Sequence, residues 1–173
     1  MASYSIKLVD HTGATKQIGP GIQSEIKGFF DRVFAKTSDS ATVAWGTGST
    51  SDDIVLHFVN NVGDSYIRKT IKKNATISAN AGGHTTLHGH KICSEFYKDV
   101  VDSQGKARSM SNRDYARLGF NESLHNVLPA WGESDLQGHG GLSDTPVGKD
   151  LSQFDIDTMR KGIALKSVAT QQL

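Results

Sequence analysis

Three side chains in the segment 120–128 have the types and spacing for proton or metal chemistry: Asn121, Glu122 and His125. On a helix Asn121 and His125 stand one turn apart, and Glu122, three residues before His125, shares their side. A carboxylate beside an imidazole can exchange a proton, and two donors one turn apart can share a metal ion. Asn121 offers a neutral, hard amide oxygen where zinc favours imidazole nitrogen or thiolate. Downstream, Glu133, Asp135 and His139 crowd a polar, glycine-rich stretch from which a further ligand could enter. Asp135 also suits a group that orients a ligating histidine. The plain alternatives are a helix pair in which Glu122 hydrogen-bonds His125, and an Asn121 that bonds a nearby loop.

A second cluster is His84, His88 and His90. Their even separations place all three on one face of a strand, where they read first as a polar strand face or a flexible loop; His88 or His90 could otherwise stand in for a missing ligand. Cys93 sits in an apolar run and reads as a small buried hydrophobe; as the lone cysteine it forms no internal disulfide. Trp45 and Trp131 read as packing residues, and Asp155 and Asp157 as charges favourable at a helix N-terminus. No phosphate-binding G-x-x-x-x-G-K-[ST] or G-x-G-x-x-G pattern occurs, and no G-x-S-x-G nucleophile elbow.

The chain has 173 residues, 36% hydrophobic and 21% charged, which suits one domain over residues 1–173. A net charge of +1 gives no electrostatic reason to expect nucleic acid or a membrane surface as partner. No apolar run approaches bilayer length, and no hydrophobic signal segment opens the chain. Cytoplasmic synthesis is the expectation, compatible with later signal-independent export, and the chain is expected to be monomeric.

Ser5–Val9 alternates as a strand, and 21–36 carries Ile22, Ile26, Phe29, Phe30, Val33 and Phe34 at helical spacing. Strands follow at 41–45 and 54–59, the second apolar enough to be covered on both faces. Weaker edges are expected at Tyr66-Ile67 and Thr76-Ile77. A strand should run out of Ala81-Gly82-Gly83 to Ile92–Tyr97. Ser111 and Asp114 form a capping box, Met110 and Tyr115 a staple, and Pro129 should stop this helix near Leu128. No regular element is expected between Ala130 and Asp150. A last helix should begin at the Ser152 cap, with Asp155 at its third position and a Leu151–Ile156 staple, and end near Gly162.

Asn121-Glu122-Ser123-Leu124-His125 resembles the H-E-x-x-H helix motif of zinc peptidases with asparagine at the first histidine. The order of elements resembles the compact zincin metallopeptidases, in particular the metzincin-like branch. In element order the resemblance covers most of the chain; in residues it rests on Asn121–His125 and the loop that follows. The family's extended motif would put glycine at Leu128 and a third ligand at Trp131, and no methionine lies between His139 and Leu151 to make its Met-turn.

The resemblance implies an α+β fold: a single zincin-like domain with a twisted mixed sheet, a backing helix, an active-site helix, a C-terminal helix, and a cleft between sheet and active-site helix. It implies zinc as cofactor and Glu122 as general base on a metal-bound water. The candidate ligands are His125, His139, Asp135 and, at the first position, Asn121. The expected function is a small zinc-dependent peptidase or peptidase-like protein. The alternative is a non-catalytic zincin scaffold that has lost its metal and binds a protein partner through the former active-site cleft.

Overall fold

Tyr4, Ile6 and Leu8 alternate with less buried neighbours, and the strand they form, β1 (Ser3–Asp10), is an inner strand of a mixed sheet. The computed structural model describes residues 1–128, 149–169 and 171–172. After β1 the chain enters α1 (Gly19–Val33), with Pro20 in the first turn, where its missing N–H costs nothing. The helix therefore begins two residues before the expected start. It closes at Val33, with Lys36 just beyond in the left-handed region at φ 62°.

The crossover through α1 returns the chain to β2 (Ser40–Trp45), parallel to β1. β3 (Ile54–Val59) lies parallel on the other side of β1 and is buried on both faces, as its apolar run predicts. β4 (Gly83–His88) and β5 (Lys91–Tyr97) form an antiparallel hairpin, with β5 parallel to β3. The order is β2-β1-β3-β5-β4, and the short β6 (Gln171–Gln172) pairs with β5. The fold is α+β, as the sequence indicates.

One face of the sheet, bearing Ile6, Leu8, Ile54, Leu56, Phe58 and Phe96, packs under α1 and α2 (Asn112–Val127). Phe120 of α2 meets Phe29 and Phe30 of α1 at ring distances of 5.6 and 5.2 Å, which locks the two helices together over that face. The capping box of Ser111 and Asp114 is formed as the sequence predicts.

On the other face, residues 62–77 pack against β3 and β5, where Tyr66 stacks on His57 and Ile67 N–H donates to Glu95. Tyr66-Ile67 and Thr76-Ile77 are not strand edges: Ile67–Ile71 forms a π-helical turn. The Arg68 guanidinium supplies donors a ladder would otherwise provide, to Ala75 O at 3.0 Å and Ile77 O at 3.3 Å. A side chain outside any strand pattern thus overrides local β-propensity.

α3 (Gln153–Ala169) starts from the Ser152–Asp155 capping pair but runs well past Gly162. Met159, Ile163 and Lys166 are all buried, and a stripe that finds a partner on both sides of a glycine offsets its unfavourable propensity. No helix of the described residues is long and apolar enough to cross a membrane.

Candidate functional site

α2 is buried on most of its sides, and its second half carries Asn121, Glu122, Ser123 and Asn126 inside. Polar groups so placed need partners. Ser123 returns its hydroxyl to Gly119 O at 2.8 Å, one turn back. Glu122, 6% exposed, points into the hairpin of β4 and β5.

A directed set of hydrogen bonds ends on its carboxyl group. Thr85 Oγ1 of β4 donates to Glu122 Oε2 at 2.7 Å and lies 2.7 Å from Ser94 Oγ of β5. Asn126 Nδ2 donates to Ser94 Oγ at 2.8 Å, so Ser94 is left to donate towards Thr85. At the far end, Asn126 Oδ1 accepts from Lys166 Nζ of α3 and from Gln172 Nε2 of β6, the latter at 2.9 Å. Lys166 Nζ also donates to Asp53 O, just before β3. The network ties α2 to both hairpin strands, to α3 and to the chain's last strand.

Burial sets the ionisation of its two end groups. Among the described residues one hydroxyl, that of Thr85, stabilises the Glu122 charge; desolvation, with the buried Glu95 adding like charge, pushes its pKa up to about 8. Lys166, 2% exposed, is pushed down to about 7 by desolvation, and Asp53 opposes this only in part. Near neutral pH Glu122 holds a proton it can give up, which is what an acid–base group requires.

Gly83 makes this burial possible. A Cβ there would lie 2.6 Å from Glu122 Cγ, 2.8 Å from its Oε1 and 2.7 Å from Glu95 O. The third contact is backbone and cannot swing aside. Gly83→Ala is expected to cost roughly 2–4 kcal/mol, read as a lower urea midpoint with an unchanged slope. A loss below about half a kcal/mol would contradict the packing of α2 against β4.

The sequence-derived residues divide between the two faces. Asn121 is buried one turn before His125, which is half-buried in the last turn of α2, so the helix brings Asn121, Glu122 and His125 together. The histidines of the hairpin go elsewhere. His84 and His88 share a strand face, but His90 sits in the turn after Gly89, whose φ is 65°, and leaves that face. His84 is cross-strand from Glu95 and opposite in parity to Thr85, so it looks away from Glu122; desolvation lowers its pKa, with Glu95 opposing. His88 and His90 are therefore not substitute ligands beside Glu122.

His139 and Asp135, like Glu133 and Trp131, lie outside the described residues, as does the stretch 130–148. Among the described residues no group of three His, Cys, Asp or Glu side chains could hold a metal ion. The donors described beside Glu122 are one imidazole and one amide, a set that does not make a zinc site by itself. Cys93 is fully buried and its thiol is raised to about 12 by desolvation, so it is packing and not a nucleophile. Trp45 packs as expected, its indole N–H donating to Gly19 O at 2.9 Å.

Thr85, Ser94, Asn126, Lys166 and Gln172 escape a reading of the sequence. Asn126 follows His125 directly, and Thr85 lies on the alternate face of the histidine strand; those positions were the only signals. A comparison with protein-family models finds no match, and neither does a comparison with curated proteins.

Proposed function

We infer that this chain is a peptidase-like protein of the zincin plan that receives an extended peptide along β4, beside Glu122. The observation that carries this reading is the position of a buried carboxyl group beneath an edge strand, joined to it through Thr85 at 2.7 Å, with burial pushing its pKa up to about 8. β4 ends the strand order, so its outer backbone edge pairs with no described strand. Such an edge can accept a peptide as a further strand, with side-chain pockets selecting among sequences. Leu87, 49% exposed on that strand, adds apolar surface for a bound chain. Glu122 is the acid–base group of this arrangement, moving a proton at its carboxyl oxygens when a peptide bond is hydrolysed.

Peptide hydrolysis with zinc as cofactor is the leading activity. The non-catalytic scaffold is the second reading, and Asn121 at the first-ligand position favours it. Mass spectrometry of peptide mixtures incubated with the zinc-loaded chain tests both. Cleavage products that vanish in Glu122→Gln support hydrolysis; protection of β4 amides by an uncleaved peptide supports the scaffold. Neither cleavage nor protection ends the reading.

The first-ligand position has its own test. Asn121→His restores an imidazole one turn from His125 and should raise zinc affinity by about two orders of magnitude or more where the remaining donors converge. Calorimetric zinc titration of the two chains reads this directly, and equal affinities would exclude zinc ligation at α2.

A further inference from the structure

On the sheet face opposite α2, a cavity of about 360 Å³ opens between the loop after β2, the ends of β1 and β3, and Tyr66. Its size falls at the small end of ligand sites, which run from about 300 to 1,000 Å³. We propose that it is a second binding site, for a small ligand bearing a carboxylate or phosphate group, held by Lys91, His11 and the hydroxyls of Thr50 and Tyr66.

The charge arrangement is one-sided. Lys91, His11 and His57 line the cavity, and no carboxylate among the described residues does. The carboxylates nearest in sequence are turned to other partners. Asp53 accepts from Ser5 N at 2.8 Å, and Asp52 from Ser5 Oγ at 2.6 Å and Ser49 N at 2.9 Å. Asp10 accepts from Thr12 and Thr15. Glu95 is fully buried and engaged by Ser65, Tyr97 and Ile67 N. Lys91 is exposed and makes no ion pair with a described residue. Burial holds the His11 imidazole pKa below its usual value, so Lys91 supplies the positive charge, and a concave wall with this cation, imidazoles and hydroxyl groups attracts negative oxygens.

The wall is also rigid. His11 Nε2 and His57 Nδ1 lie 2.9 Å apart and share one hydrogen bond, and Tyr66 stacks on His57 with ring centroids 4.0 Å apart. With one ring nitrogen of His11 committed to His57, the other remains for a ligand, on a ring that cannot turn freely. The neighbouring hollow of about 250 Å³ on the far side of His11 shows the contrast. It contains Asp64 paired with Lys69 at 3.2 Å and so carries no excess positive charge.

The test is an amide NMR titration of the whole chain at fixed pH with inorganic phosphate and, separately, with acetate. Saturable shifts are expected at His11, Thr50 and Lys91, with affinity falling about tenfold or more in Lys91→Gln and returning in Lys91→Arg. Lys91 is exposed, so both variants should keep the parent's melting temperature. Saturation by phosphate alone assigns a phosphate-bearing ligand, by acetate alone a carboxylate, and by both the shared oxyanion. No saturable shift with either probe, or shifts that Lys91→Gln leaves unchanged, would overturn the proposal. Glu122 lies on the opposite face of the sheet, so either result leaves the peptide reading untouched.

Discussion

Glu122→Gln should raise the stability of this chain at pH 9 by on the order of 3–5 kcal/mol while changing it little at pH 4. In the unfolded chain the carboxyl ionises above its ordinary value near 4.5; in the folded chain it holds its proton until about 8. Between those values unfolding releases a proton, so the parent loses stability as pH rises through this window. Glutamine keeps the shape and an oxygen for the Thr85 hydroxyl but has no proton to lose, so its curve should be flat there. Urea denaturation at several pH values reads the difference. Parallel curves for the two chains from pH 4 to 9 would mean that Glu122 ionises normally and is not buried as described.

Lys166 gives the second large effect, with the opposite slope. The unfolded chain keeps this proton up to about 10.5 and the folded chain only up to about 7. Between these values unfolding takes up a proton, so stability rises with pH, and the full cost of burying the amine is present below 7. Lys166→Met should therefore stabilise the chain at pH 6 by about 2–3 kcal/mol, the desolvation cost removed less one or two hydrogen bonds. Near pH 10.5 the same substitution should destabilise by about 1–2 kcal/mol, because only the hydrogen bonds are then lost. Gln172 still donates to Asn126 Oδ1 at 2.9 Å, so no acceptor on Asn126 is orphaned. A stability change of one sign at both pH values would contradict the assignment. Acting together, the two groups place a stability minimum in the parent near pH 7–8.

The parts of the fold legible in the sequence are those with local causes. Ser111 and Asp114 start α2 through contacts three residues apart, and Ile54–Val59 reads as a doubly covered strand because all its residues but His57 are apolar. Errors enter where a distant partner decides. Arg68 replaces two expected strand edges with a turn, and the packing of Ile163 and Lys166 carries α3 beyond Gly162. At the hairpin the even spacing of His84, His88 and His90 is real, but the turn at Gly89 breaks the parity before His90.

The candidate site divides in the same way. Glu122 and His125 are visible because helix spacing brings them together. Thr85, Ser94, Asn126, Lys166 and Gln172 meet only through strand pairing and helix packing, and no spacing in the chain records that meeting. Lys166 lies beyond the expected end of the last helix near Gly162, where nothing in the sequence marks it for burial. Its burial is what makes the network costly and specific.

The central claim is that α2 presents Glu122 to the edge strand as a buried acid holding its proton near neutral pH. Its most direct test is a carbon-detected NMR titration of the Glu122 side-chain carboxyl in the intact chain. The account predicts a midpoint near 8, moving further up in Thr85→Val, which removes a hydroxyl that stabilises the charge. A midpoint in the ordinary carboxylate range near 4.5, unmoved by Thr85→Val, would contradict it.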